Sequence, residues 1–126
     1  MAVKKIPNNM TLPEYIAARL KVPFAWGENE CVTFAIGWVQ IATGKEYITD
    51  KWTNSKEAAQ MIKKLGGIEH QFDLHLNRIN PNFAKDGDVA LVDDTAYLFS
   101  GVHIVGPGKD GLIFKTRMEA KCAWSY

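Results

Sequence analysis

The first half of the chain carries helical periodicity and the second half alternates. Thr11 can cap a first helix, Glu14 stands three residues on to return the bond, and Pro13 fits its first turn. Tyr15, Ile16, Ala18, Arg19 and Leu20 continue this helix. It ends near Lys21, because Val22 precedes Pro23 and is pushed to an extended conformation. Cys31 to Thr43 reads as a second helix that is apolar nearly all round, which marks a buried helix. Asn29 can cap it, and Gly44 follows its last turn as a stop. Gly37 lies inside it, at a cost to helix stability, which predicts the close approach of another backbone. A third helix is predicted from about Ser55 to Leu65, with Asn54 and Glu57 at capping-box spacing. Its stripe is Ala58, Met61, Ile62 and Leu65, and Gly66-Gly67 end it.

Phe72, Leu74 and Leu76 then alternate with polar residues, as in a short strand or an irregular arm. Asn80-Pro81-Asn82 is a turn. From Gly87 onward the reading is β: Val89 to Val92, Tyr97 to Val105, Leu112 to Lys115, and Cys122 to Tyr126. Asp93-Asp94, Pro107-Gly108 and Asp110-Gly111 punctuate these strands. Helices first and strands second is the α+β signature. The 126 residues suit one domain, 1–126, with residues 1–10 as an extended arm.

Composition narrows the function. Hydrophobic residues make up 47% and charged residues 23%, so the chain can build a core without a disulfide or metal. The net charge of +1 is spread along the chain, and Lys63-Lys64 is the one short basic cluster. Nucleic acid is therefore not an expected partner, since phosphate binding needs a concentrated basic face. No apolar run reaches the length of a membrane span. Residues 1–10 carry lysines with no apolar stretch behind them, so no secretory signal is read there. His70, Asp73 and His75 do not make a metal set, because on a strand only Asp73 and His75 would share a face. No cofactor is expected.

The candidate chemistry centres on Phe24-x-Trp26-Gly27-x-x-x-Cys31-x-x-Phe34. The spacing delivers a thiol to the start of a buried helix, where free N–H groups and the positive end of the dipole favour a thiolate. The same groups can bind an oxyanion. Glu28 and Glu30 oppose this by raising the thiol pKa. The bland alternative is that Cys31 and Cys122 are two buried, reduced thiols. Phe34 and Trp38 read as core, and Trp26 as partly exposed beside the thiol.

That stretch resembles the nucleophile segment of the NlpC-type cell-wall peptidases, which are papain-like cysteine peptidases. Asp86-Gly87-Asp88-Val89-Ala90-Leu91-Val92 resembles their Pro-Gly-Asp strand opener. The order Thr43-Gly44-Lys45, Leu65-Gly66-Gly67, Gly87-Asp88-Val89, Gly111-Leu112 and Ala123-Trp124 is similar to a group of small phage tail-associated proteins in that superfamily. The resemblance covers about residues 11 to 126. It implies a papain-like domain with helices packed on a C-terminal antiparallel sheet. It makes Cys31 the nucleophile candidate and His103 the candidate base, with Phe24, Trp26 and Ser100 against substrate. It also implies a place in the virion tail, after synthesis in the host cytoplasm. The partners would be other tail proteins (hub, tape-measure or distal tail proteins), with peptidoglycan as the substrate of an active enzyme.

The chain departs from that pattern at three points. Glu30 stands where the peptidases have Asp, and Phe24 where they commonly have Tyr. Their catalytic His opens a strand of the form His-Val-Gly-Ile-x-x-Gly. Laid back from Gly106, that position falls on Ser100. His103 comes three residues later, which on one continuous strand puts it on the opposite face; a bulge at Gly101 would reverse this. Three functions stay open: a structural tail-tip or baseplate component with an eroded catalytic set, an active peptidoglycan amidase or endopeptidase, and a small cytoplasmic binding module.

Overall fold

The structure is a computed structural model, and it describes residues 10–25, 31–45, 55–64 and 66–126. The fold is α+β. Helices α1 (Leu12–Arg19), α2 (Cys31–Thr43), α3 (Ser55–Lys64) and α4 (Ile68–His75) precede strand β1 (Asn77–Ile79). Strands β2 (Val89–Val92), β3 (Thr95–Ser100), β4 (His103–Gly108), β5 (Gly111–Thr116) and β6 (Cys122–Ser125) follow. All pair antiparallel in one six-stranded sheet of order β1-β6-β2-β3-β4-β5. β2 to β5 form a meander, and β6 then returns to fill the gap between β1 and β2.

The local signals for the first two helices act as expected. The Thr11 hydroxyl accepts from Glu14 N, and the Glu14 carboxylate accepts from Thr11 N at 2.8 Å. α2 runs from Cys31 to Thr43, and Gly44 beyond it has φ +72°. The caps expected at Asn29 and Asn54, and the side chains of the α3 stripe, lie outside what the structure describes.

Phe72, Leu74 and Leu76 do not form a strand. Gly67, at φ +98°, starts α4 one residue on, and Ile68 and Phe72 occupy its buried side at helical spacing. Alternation over five residues is too short to distinguish the two periods. The long strand expected from Tyr97 to Val105 is likewise two strands. The chain reverses at Gly101-Val102, and Ser100 pairs directly with His103. Gly101 has φ +61°, the conformation a two-residue hairpin needs at its first central position. The preceding hairpin turns on Asp93 and Asp94, both left-handed, with φ 47° and 63°. Asp tolerates that region better than most residues.

The sheet buries both faces. On the helix side Val89, Leu91, Leu98, Val105 and Trp124 pack against Ile16, Phe34, Val39 and Phe72. The other face holds a smaller core of Ala90, Val92, Tyr97, Phe99, Ile104 and Ala123. A loop and the segment after β5 close over it. The Arg117 guanidinium lies 4.9 Å from the Phe99 ring centroid and donates to the carbonyls of Gly101 and Ala84. The Asp88 side chain is 1% exposed and closes the loop before β2 by accepting from Lys85 N and Lys85 Nζ.

α2 is held from above by α1. Tyr15 is buried, and its hydroxyl donates to the Phe34 carbonyl at 2.6 Å. Burial pushes this phenol up to about 12, with Arg19 opposing. The same hydroxyl fills the space that a Cβ on Gly37 would need, 2.5 Å away. The expected close approach at Gly37 is thus a side chain, not a backbone. At the other end of the helix side, Arg78 bonds Asp73, Glu69 and the Cys122 sulfur and lies over the Trp124 ring. Asp73 also accepts from Trp124 Nε1.

Two predictions follow from these junctions. Gly37→Ala should cost about 1–3 kcal/mol by overpacking. In a Tyr15→Phe background, which removes the obstructing oxygen, the added cost of Gly37→Ala should fall toward zero; equal costs in denaturant titrations of both backgrounds would refute the wedge. The Arg78 and Trp124 hydrogen bonds hold the Asp73 carboxyl down to about 2, against 3.8 ordinarily. A depressed carboxyl stabilises the fold above its unfolded pKa and loses that effect as pH falls through its folded one. The melting-temperature gap between wild type and Arg78→Gln should therefore be widest above pH 4 and narrow between pH 4 and 2.

Candidate functional site

Cys31 is the first residue of α2 and is half-buried against the helix-side core. After α1 the chain forms a strap, residues 20–25, pinned across the β4–β5 hairpin. Leu112 N donates to the Leu20 carbonyl at 3.0 Å, and Phe24 N donates to the Gly108 carbonyl at 3.1 Å. A side chain at Gly111 would strike the Leu20 carbonyl at 2.4 Å, and φ there is +141°, so glycine is required. Phe24 is half-buried at the end of this strap. Trp26, Glu28 and Glu30 lie outside the described residues.

The direction of α2 over the sheet decides what the thiol can meet. Two turns after Cys31, Trp38 Nε1 donates to the Tyr126 hydroxyl at 2.8 Å, directly above Gly87. Gly87 N in turn donates to the Phe99 carbonyl, near the Ser100 end of β3. The second half of α2 therefore sits over the Ser100–His103 end of the sheet. The strap, whose last described residue is Ala25, is tied to Gly108, the far end of β4. Burial raises the Tyr97 phenol, and the charges of Cys31, Glu119 and Asp93 raise it further. Tyr97 lies across from Gly106, whose missing side chain its ring crowds at 2.8 Å.

Ser100 and His103 are cross-strand partners, so their side chains leave the same face of the sheet. By the alternation of β4 this is the face of Val105, the helix side. The expectation that His103 lies on the other face is overturned, because the chain turns at Gly101-Val102 instead of running on or bulging. Sharing a face does not bring His103 to the thiol. From His103 to Gly108 is five strand steps, about 16 Å at ~3.3 Å per residue. His103 is exposed and rests edge-on against Phe114, with ring centroids 5.8 Å apart. A general base must come within hydrogen-bond reach of the proton it takes, and His103 stands at the opposite end of β4 from the Gly108 tie of the strap. Ser100 stands directly opposite His103.

Asp73 and His75 do not share a strand face either, because both belong to α4. Asp73 is committed to Arg78 and Trp124. Of Asp88, Arg117 and Arg78, which shape the loops and tie α4 to the sheet, Asp88 falls within the strand-opener motif, while Arg117 and Arg78 carry no local sequence signature. Their partners lie 3 to 44 residues away.

If His103 stands apart from the thiol, His103→Ala should leave the pH profile of Cys31 alkylation unchanged. Measured by iodoacetamide labelling in a Cys122→Ala background, the rates should agree within about twofold from pH 6 to 9; a displaced profile would put the imidazole next to the sulfur.

Comparison with curated proteins and with solved structures finds no match. The sequence does match one family along almost its whole length, residues 4–126, and the chain belongs to that family, described as Domain of unknown function (DUF6950).

Proposed function

We propose that this domain is a papain-like, NlpC-type fold that has lost its catalytic set and serves as a structural component of a phage tail tip or baseplate. The observation that carries this reading is that His103 stands at the end of β4 opposite the tie of the strap that precedes α2. A cysteine at the amino end of a core helix fits the nucleophile position of such enzymes, but an exposed histidine at that far end is poorly placed to serve it. The hairpin at Gly101 strengthens the point. Counted back from Gly101, the glycine that ends β3, the strand-opening His of the peptidases falls on Thr95, with Ala96 next to it on the helix side. Neither can take a proton from a thiol.

The active reading, a peptidoglycan amidase or endopeptidase with Cys31 as nucleophile, keeps one supporting feature: the thiol stands at a helix start, where free backbone N–H groups can bind an oxyanion. Two measurements separate the readings. Mass spectrometry of purified particles should find the protein in stoichiometric amount. Purified protein should release no muropeptides from peptidoglycan. Release that disappears in Cys31→Ala would establish the enzyme, and absence from the particles would remove the structural role.

A further inference from the structure

The helix side of the sheet is apolar up to one row of side chains and polar in the next. Leu98, Val105 and Phe114 stand side by side on β3, β4 and β5, and Ser100, His103 and Thr116 form the row beyond them. Cross-strand partners share a face, and alternation returns each strand to that face at every second residue. Both rows therefore point the same way. Leu98 and Val105 are fully buried, whereas Phe114 is 48% exposed. Ser100 is half-buried, and His103 and Thr116 are exposed. The helix layer thus gives out across this corner and leaves a shelf. It presents a hydroxyl, an imidazole and a second hydroxyl in line, with the Phe114 ring against the imidazole.

Among the described residues, none of the three polar side chains has a hydrogen-bond partner. The charged side chains next to the row are committed elsewhere. Lys115 leaves the opposite face with Ile104 and pairs with Glu119. The Arg117 guanidinium is held by the Gly101 and Ala84 carbonyls, and the Asp86 carboxylate accepts from Gly101 N. His103 is the one ionisable side chain in the row itself.

We propose that the Ser100–His103–Thr116 shelf binds a neutral saccharide. Serine and threonine hydroxyls both donate and accept, and an imidazole offers one nitrogen for each role. Sugar hydroxyls need partners of that kind, and the apolar C–H face of a sugar ring finds a surface in Phe114. The row crosses two strand spacings, about 10 Å, which is the reach of two linked sugar rings. An anion is disfavoured, because the lysine and arginine that flank Thr116 are already engaged. A nucleobase presents its polar groups along one short edge and would leave part of the row unmet. The inference uses neither Cys31 nor a place in a virion, so it stands or falls apart from the reading above.

The test is an amide NMR titration of the intact chain with maltose, cellobiose and N,N′-diacetylchitobiose. Inorganic phosphate and adenosine serve as the charged and planar alternatives. At least one disaccharide should shift the amides of Ser100, His103, Phe114 and Thr116 in a saturable way. Phe114→Ala and Thr116→Val should each weaken that binding by about threefold to tenfold, the size of one ring contact and of one hydrogen bond. Both side chains are exposed, so both variants should keep the wild-type melting temperature. No shift at the shelf with any disaccharide at tens of millimolar, shifts confined to another surface, or unchanged affinity in both variants would overturn the proposal. So would tighter binding of phosphate or adenosine than of every disaccharide.

Discussion

A helix that is apolar almost all round must be enclosed, and enclosing α2 is the constraint on which the other elements depend. The sheet supplies one wall and α1 the opposite one. The join between the helices is made by one hydroxyl. Tyr15 reaches the Phe34 carbonyl and occupies the notch left by Gly37, so a polar atom is buried with its hydrogen bond satisfied. The axis and depth of α2 follow from that contact and from the Trp38–Tyr126 bond next to it. These two attachments also decide where the thiol of Cys31 lies relative to the strands beneath it.

The N-terminal elements were legible because their signals are local. The Thr11–Glu14 box, the run from Cys31 to Thr43 and the glycines after each helix act within one turn of the backbone. The β half resisted because its decisive events are not local. The stretch from Tyr97 to Val105 is rich in aromatic, aliphatic and β-branched residues that favour strands, and the Gly101-Val102 reversal inside it differs little from an interruption in one strand. Misplacing that turn also put His103 on the wrong face. α4 was missed for a different reason: three apolar residues at spacing two satisfy a strand, while Ile68 and Phe72, at spacing four, satisfy the helix that forms.

The candidate site shows the same division. That a cysteine stands at the start of a core helix was readable from spacing alone. Which end of β4 that helix start overlies was not, because it depends on a strap tied to Gly108 and Leu112 and on a tryptophan bonded to a tyrosine 88 residues away. A motif fixes residue types and intervals, whereas proton transfer needs two side chains in contact, and only the register of the sheet supplies that second condition.

The position of β6 between β1 and β2 has a consequence for assembly. The meander from β2 to β5 is built from contacts close in sequence and can form early, as low contact order permits. β1 and the α4 segment attached to it have no neighbour in the sheet until β6 arrives. α1, α2 and the strap can already pack on the meander, whereas β1 takes its place in the sheet only once β6 lies between it and β2.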